Sequence, residues 1–225
     1  MDREGSLRER LIDVGVELVL TQGSSSLGLR EIARRAGVSH GAPRRYFPTH
    51  HALLSAIARR GFEDLAARVG AAVAGAPSAR AQLRAAARVY IGYALERRGM
   101  FELMFRHDLL DSERHASGER QLRESTVPMF EGIVALVARC GADQGTASLP
   151  GAVAAPPPPA VTAAALWSNL HGIAQLWAWG SLQLVLGAPA PDAPPGGDPL
   201  DRIITAALDA HLGPDRPGTH DAKGK

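Results

Sequence analysis

Cysteine is nearly absent from this chain of 225 residues, in which Cys140 is the only one. No disulfide can therefore form within the chain, and a zinc site made only of cysteines is excluded. Lysine is almost as scarce, occurring only at Lys223 and Lys225, so nearly all of the basic side chains are arginine. The first residues are charged and include no apolar run, so we expect no signal peptide and a cytoplasmic protein.

The chain also lacks a strong excess of either charge. Its formal net charge is +2 and its sequence pI is 9.0, which is compatible with a nucleic-acid partner but does not establish one. No nucleophile–base motif, glycine-rich phosphate loop or pair of carboxylates stands out, so we expect no enzyme activity and no cofactor. His107, Asp108 and His115 lack a further ligand at suitable spacing, so we interpret them as solvated surface and expect no metal site.

Apolar residues recur at helical spacing along most of the chain, which predicts an all-α protein. Helices are predicted at 7–22, 29–36, between Ser39 and Pro48, at about 50–75, 78–97, 99–109, 117–141, 160–187 and 199–212. We expect Ser6 to cap the first helix together with Glu9, Gly23 to end it, and Thr49 to cap the fourth. The Pro/Gly-rich stretches 143–159 and 188–199 are predicted to be loops.

The stretch Leu29–Phe47 has the pattern of a helix-turn-helix whose second helix enters the major groove of DNA. Gly37 supplies the backbone conformation that a sharp corner between helices needs. Ser39 is expected to cap the second helix of the motif, and Pro43 to fall within or just after its first turn. The stretch therefore predicts a DNA-binding segment.

Base edges are read from the first part of such a helix, and nearby basic and polar side chains contact phosphates. The residues predicted to face bases are Ser39, His40, Gly41, Ala42 and Arg44, with Ala42 and Arg44 the main ones. The residues predicted to contact phosphates are Arg30, Arg45, Tyr46 and His50. Phe47 is assigned to packing, and Tyr46 fits either role. The alternative is that Arg34, Arg35, Arg44 and Arg45 form only a solvated face.

Residues 160–187 contain no charged side chain, and a helix that is apolar nearly all round must be buried on several faces. A membrane span is one solution, because the length suffices. Polar residues interrupt the run, however, and no basic cluster flanks it. We therefore expect burial against the chain's own core and a second subunit, with the last helix completing a bundle in a homodimer.

Trp167, His171 and Gln175 are four residues apart and share a helix face, which suggests a ligand pocket. Such pockets have mostly apolar walls and a few polar groups. The predicted walls are Tyr90, Phe101, Met104, Phe105, Met129, Phe130 and Trp167, and the predicted polar contacts are Asn169, His171 and Gln175. The alternative is that His171 is a core histidine bonded to a carbonyl and that the Met/Phe cluster is ordinary core.

Residues 7–60 resemble the DNA-binding domain of TetR-family transcriptional regulators. The matching residues are Ala33, Gly37-Val38-Ser39, Gly41, Arg45-Tyr46-Phe47-Pro48 and Leu53-Leu54. Shorter likenesses, at 97–105 and 167–172, are to the subgroup whose ligand domain is named for a Trp-His-Gly signature. The chain departs from the family at three positions. The family favours Thr or Ser where this chain has Gly28, Tyr where it has Arg44, and Lys where it has His50.

The resemblance implies an all-helical homodimeric repressor that a small molecule releases from its operator. We therefore predict a helix-turn-helix DNA-binding domain at 1–60, a helical ligand-binding and dimerisation domain at 61–212, and a disordered tail at 213–225. The predicted function is that of a regulator released from double-stranded operator DNA by a small apolar or amphipathic molecule. The alternative is a helical ligand-binding or catalytic protein whose N-terminal helices do not bind DNA.

Overall fold

The computed structural model describes residues 3–106, 110, 123–143, 156–186 and 198–215. Throughout these ranges the regular structure is helical and includes no strand, which confirms the predicted all-α fold. The helices are α1 (Arg3–Gln22), α2 (Leu29–Arg35), α3 (Pro43–Tyr46), α4 (His50–Ala74), α5 (Ala79–Glu96), α6 (Arg98–Met104), α7 (Arg123–Asp143), α8 (Pro159–Ala178), α9 (Ser181–Leu186) and α10 (Pro199–Leu212). A 3-10 turn at Ser24–Ser26 joins α1 to α2.

Two compact units divide the chain. The first comprises 1–70 and 89–129, and the second comprises 71–88 and 130–225. The predicted domain boundary at residue 60 falls inside α4, whereas the units divide this helix at Gly70. The boundary at residue 60 remains a prediction.

The core of the first unit is built where α1 packs against α2, α3 and α6. The apolar stripe predicted for the first helix faces inward, since Leu11, Leu18 and Val19 are fully buried. Ile32 of α2 and Phe47 after α3 are also fully buried. The assignment of Phe47 to packing is therefore confirmed, and the guanidinium of Arg8 lies 5.3 Å from the centre of its ring.

In the second unit, α8 packs against α10, and the buried apolar residues of the two helices include Ala163, Leu166 and Ala174 on α8 and Ile204 and Leu208 on α10. These side chains are small or branched and almost completely buried. The apolar character of α8 is thus explained in part by its contact with the last helix, as the sequence predicted. No helix in the described ranges is long and apolar enough to cross a membrane.

Two arginine–aspartate pairs join the first half of α5 to α10 in the second unit. The guanidinium of Arg80 donates to Asp209, and that of Arg88 donates to both carboxylate oxygens of Asp201 at 2.5 and 2.6 Å. The partners are eight residues apart on each helix and run in opposite orders, so the two helices are antiparallel here. Bidentate contacts of this kind fix orientation as well as distance.

Two of the predicted helix ends differ from the structure, and a third agrees with it. The first helix begins at Arg3, so Ser6 lies inside it and does not cap it. The helix predicted at 99–109 is α6, which ends at Met104, with Phe105 outside helical geometry. Gly23 does end α1, with a φ of 83° and a hydrogen bond from its N–H to the carbonyl oxygen of Val19.

The predicted single helix 160–187 is interrupted at Gly180, whose φ is 77°. A left-handed residue ends the helical ladder, and glycine is the residue that adopts this conformation without strain. The side-chain amide of Gln183 donates to the carbonyl oxygen of Trp177 at 3.1 Å, which satisfies an acceptor at the end of α8. The chain then continues as the separate helix α9.

Several sequence predictions lie outside the described residues. They are residues 144–155 and 188–197 of the two predicted loops, the tail after Asp215, and the residues weighed as metal ligands, His107, Asp108 and His115. Among the residues that are described, no group of three metal-ligating side chains comes together.

Candidate nucleic-acid interface

The corner between α2 and α3 forms at Gly37, whose φ of 67° lies in the left-handed region. Its N–H donates to the carbonyl oxygen of Arg34, and that of Val38 donates to the carbonyl oxygen of Ala33 at 3.0 Å. These bonds satisfy the last carbonyls of α2 while the chain turns. The prediction that glycine makes this turn is confirmed.

The second helix of the motif is shorter than predicted, because α3 begins only at Pro43. A regular helix beginning at Ser39 would need an N–H at residue 43 to bond the carbonyl oxygen of Ser39, and proline has none. That carbonyl oxygen instead accepts from the N–H of Ala42 at 3.0 Å, in a tighter turn. Ser39 therefore does not cap α3, whereas Pro43 at its first position agrees with the prediction.

The predicted DNA-facing side chains lie mostly at the surface of this segment. The exposed residues are Arg30, Ser39, His40, Gly41, Arg44 and Arg45, and the half-buried ones are Ala42, Tyr46 and His50. We call Arg30, Ser39–Ala42, Arg44 and Arg45 the recognition surface. Nothing in the structure assigns individual bases or phosphates to these side chains, so their roles remain predictions.

The arginines of this segment divide into two groups. Arg34 and Arg35 are both held by Glu31, with Nη2 of Arg34 at 2.6 Å and Nε of Arg35 at 2.8 Å from the same carboxylate oxygen. By contrast, the side chains of Arg44 and Arg45 make no ion pair or hydrogen bond within the described chain. Ion pairing within the described chain therefore occupies the arginines of α2 and not those of α3, while the alternative of a solvated face is untested for all four.

The hydrogen bonds from Arg34, and then those from Arg35, lower the pKa of the Glu31 carboxyl to about 2. A carboxyl whose pKa is lowered on folding stabilises the folded form above its unfolded pKa, and this contribution is lost as the pH falls through the folded pKa. The carboxylate is therefore ionised throughout the neutral range, and both arginines stay paired there.

Immediately before α4, the chain is fixed by the two features the sequence predicted. Phe47 has an extended backbone, as expected for a residue that precedes proline, and α3 has ended at Tyr46. The hydroxyl of Thr49 then accepts from the N–H of Ala52 at 3.0 Å and caps α4.

His50 has a partner that the sequence did not predict. Its Nε2 lies 2.5 Å from the carbonyl oxygen of Leu27, in the connection between α1 and α2. The sequence had suggested only a phosphate contact for this residue. Contacts between residues 23 positions apart leave no local pattern, so nothing in the sequence identified this one.

Three of the predicted pocket residues form an aromatic group in the first unit. The ring of Tyr90 lies 5.4 Å from that of Phe101 and 6.3 Å from that of Phe105, and the two phenylalanine rings are 4.9 Å apart. Tyr90, Phe101 and Met104 are buried and Phe105 is half-buried. Met129, which is also in this unit, is half-buried.

The other predicted pocket residues, Phe130, Trp167, His171 and Gln175, belong to the second unit and are half-buried. The rings of Trp167 and His171 are 6.0 Å apart, as their helical spacing predicted. Burial lowers the pKa of His171, so its imidazole is neutral at neutral pH. Asn169 is exposed, and its amide lies 3.3 Å from Nε2 of His211 on α10.

The sequence did not predict how closely α6 packs in the first unit. A Cβ on Gly99 would lie 2.5 Å from the carbonyl oxygen of Val19 and 2.9 Å from the Cα of Gly23, both backbone atoms at the end of α1. A Cβ on Gly61 of α4 would lie 2.7 Å from the sulfur of Met104. Glycines inside helical patterns were the only available signal of such approaches.

Another unpredicted contact fixes α4 against α5 in the first unit. The hydroxyl of Tyr93 donates to the carbonyl oxygen of Gly61 at 3.2 Å, and desolvation raises the pKa of this phenol to about 12. The guanidiniums of Arg68 and Arg97 lie 5.4 and 5.9 Å from its ring centre. Tyr93 thus makes a hydrogen bond between the two helices and two cation–π contacts.

Two protein-family models match this chain. One, described as bacterial regulatory proteins of the tetR family, matches residues 11–57, and the other, described as a tetracyclin repressor-like C-terminal domain, matches residues 83–193. The chain belongs to the TetR family. The first TetR match contains the whole recognition surface, and the second contains both the aromatic group and His171.

Two individual relatives are more than 30% identical to parts or most of this TetR-family chain. An uncharacterised HTH-type transcriptional regulator from the dhlA 5′ region of Xanthobacter autotrophicus is 31% identical over 96 residues, which cover 42% of this chain and about half (48%) of that one. A solved structure of a protein of unknown function from Rhodococcus sp. RHA1 is 32% identical, with a TM-score of 0.67 over 93% of this chain and 95% of that one.

A TetR-like transcriptional regulator from Rhodococcus sp. RHA1 has a TM-score of 0.57 over 95% of this chain and 99% of that one. It is 16% identical, so this likeness shows the fold alone. The two family matches, and not this likeness, make the chain a TetR-family transcriptional regulator with a C-terminal ligand-binding domain.

Proposed function

We propose that the protein is a cytoplasmic repressor, without enzyme activity, that binds double-stranded operator DNA through its recognition surface and leaves it when a small molecule binds. The observation that carries this proposal is the division among the arginines. Arg34 and Arg35 are paired with Glu31, whereas Arg44 and Arg45 project from α3 with no partner in the described chain. Unpaired guanidiniums at the surface are available for phosphates and for guanine.

The small residues before α3 support the same role. Gly41 is exposed and Ala42 is half-buried, so no long side chain at these positions keeps the backbone away from a base pair. Ala42 has a methyl group suited to contact with a thymine methyl, and Arg44 can bond guanine or phosphate. Arg30, Arg45 and Tyr46 would contribute phosphate contacts, which give affinity without sequence information.

For the ligand, we propose a small apolar or amphipathic molecule bound in the C-terminal domain. The predicted lining includes the grouped rings of Tyr90, Phe101 and Phe105, which offer apolar surface. Burial lowers the pKa of His171, which leaves a neutral imidazole able to donate one hydrogen bond and accept another. With Trp167 and Gly172, His171 also supports placement in the Trp-His-Gly subgroup.

The protein is proposed to act as a homodimer. Around the break at Gly180, Trp179 is 61% exposed, Leu184 85% and Val185 82%. Apolar side chains exposed together in this way are typical of a surface that a partner covers. A second copy of this chain is the partner we propose, because two recognition surfaces related by a twofold axis would match the two half-sites of an operator.

We expect the double variant Leu184→Glu, Val185→Glu to be monomeric under conditions in which the wild-type chain is dimeric. Two carboxylates in an apolar interface would lose their hydration without gaining partners. Sedimentation velocity measures the change directly. Val127→Glu, which places a carboxylate at an exposed apolar residue of α7, is the matched control and should stay dimeric. A double variant with unchanged sedimentation would contradict this dimer surface.

The proposed function is tested with the DNA upstream of the protein's own gene. We expect a retarded complex in gel electrophoresis that unlabelled upstream DNA displaces and shuffled DNA of equal length does not. The affinity should fall steeply with salt, because phosphate contacts release counterions. Failure to select the upstream sequence over the shuffled one, across the range of protein concentrations, would favour a helical ligand-binding or catalytic protein that does not bind DNA.

A further inference from the structure

We infer that His50 is a positioning residue that holds the two ends of the helix-turn-helix together and does not itself bind DNA phosphate. The inference rests on the proposed function, since it concerns how the recognition surface is held. Its basis is the hydrogen bond between Nε2 of His50 and the carbonyl oxygen of Leu27. A carbonyl oxygen only accepts, so Nε2 carries the proton in both the neutral and the charged imidazole.

This hydrogen bond closes a loop of the chain. Leu27 lies just before α2, and His50 is the first residue of α4, directly after α3. The two residues are 23 positions apart, and the stretch between them contains α2, the turn at Gly37 and α3. The bond therefore fixes the entry to this segment relative to its exit.

The entry to α2 needs such support because its own cap is weak. Gly28 is the N-cap, and it has no side chain with which to hold the first turn. Leu27, just before it, is 3% exposed, so its carbonyl oxygen is largely removed from water. A buried carbonyl without a partner is unfavourable, and the imidazole of His50 supplies that partner.

The exit is the firmer end. Phe47 is fully buried, and the hydroxyl of Thr49 caps α4. His50 therefore projects from a fixed first turn, and its half-buried ring can hold the α1–α2 connection in place.

The same geometry argues against a phosphate contact. In the neutral imidazole only one nitrogen carries a proton, and here it is Nε2, directed at Leu27. The remaining nitrogen, Nδ1, is an acceptor in that neutral form and can donate to a phosphate oxygen only in the charged imidazole, so the salt slope of an alanine variant distinguishes the two roles. Affinity lost on removing the ring should therefore come from displacement of the recognition surface.

The test compares His50→Ala with His50→Gln in the full-length protein, using operator affinity across a salt series and amide exchange of the free protein. The side-chain amide nitrogen of glutamine lies about as far along its side chain as Nε2 of histidine and can donate in its place. For His50→Ala we expect an affinity loss of roughly five- to tenfold with an unchanged salt slope. We also expect faster exchange at the Ile32 and Ala36 amides, and recovery of both properties in His50→Gln.

Arg45→Ala serves as the reference for a true phosphate contact, and its salt slope should fall by about 0.9. The inference is overturned if His50→Ala shows that same fall in slope and glutamine does not restore binding. The inference is also overturned if His50→Ala has the same amide exchange rates and the same operator affinity as the wild-type protein. If the wild-type protein selects no operator, the proposed function fails separately, and the exchange rates still decide whether His50 holds the entry to α2.

Discussion

Replacing Arg44 and Arg45 together by alanine is expected to weaken operator binding about a hundredfold or more while leaving the fold intact. Each arginine contact to a base or phosphate contributes on the order of 1–3 kcal/mol, and 1.4 kcal/mol is a factor of ten in affinity. Both side chains are exposed and have no partner in the described chain, so their removal leaves no buried group unsatisfied. Fluorescence anisotropy with labelled upstream DNA measures the loss, and circular dichroism checks the fold.

Arg34→Ala is the matched control, to be compared with each single variant, Arg44→Ala and Arg45→Ala. All three lose one positive charge from an exposed arginine of the same segment, but Arg34 is already paired with Glu31. Arg35 remains to pair with that carboxylate, so the control should bind within about threefold of wild type with an unchanged salt slope. Equal losses in all three would mean that affinity follows net charge, which contradicts the assignment of α3 as the reading helix.

Gly99→Ala is expected to destabilise the protein by about 2–3 kcal/mol, because it forces a methyl group into a closely packed backbone contact. The added Cβ would lie 2.5 Å from the carbonyl oxygen of Val19 and 2.9 Å from the Cα of Gly23. Neither atom belongs to a flexible side chain, so α6 must move away from α1. Urea unfolding followed by circular dichroism should show a lower midpoint, and the thermal midpoint should fall by roughly 5–10 °C.

Gly92→Ala, in the middle of α5, is the control for the Gly99 substitution. A Cβ at this position meets no other atom within 4 Å, so the substitution adds helix propensity without a clash. We expect it to stabilise the protein by about 0.5–1 kcal/mol. If Gly99→Ala behaved like Gly92→Ala, the close approach of α6 to α1 would be contradicted.

The features that were predictable from the sequence are those set by residues close together in the chain. Gly37 forms the turn because only glycine adopts its φ without strain, and Thr49 caps a helix that begins at the next residue. Phe47 is buried as expected, being an aromatic side chain between two short polar stretches. Each of these outcomes depends on backbone geometry or solvation within one or two turns.

Two local predictions were wrong, and each is explained by a single residue of the sequence. The start of α3 is set by Pro43, whose missing N–H prevents a regular ladder from Ser39. The break after α8 is set by Gly180, a single glycine in an apolar run that was predicted to be one helix. In both cases a single backbone unit, the proline nitrogen or the glycine, sets the helix end.

The remaining contacts connect residues far apart in the sequence, and a single sequence carries no signal for them. The bond from His50 to Leu27, the approach of Gly99 to Val19 and the pair between Arg80 and Asp209 are of this kind. Helical spacing correctly placed the rings of Trp167 and His171 side by side, whereas the wider lining remains a prediction.

The two arginine–aspartate pairs between α5 and α10 set the registry of these helices. A slide of α10 by one turn, about 5.4 Å, would separate both Arg80 from Asp209 and Arg88 from Asp201 at once. Intermediate positions satisfy neither pair, so small axial displacements are resisted from both ends. The two pairs therefore favour the present registry of the first half of α5 and α10, by the modest amount that partly exposed ion pairs contribute.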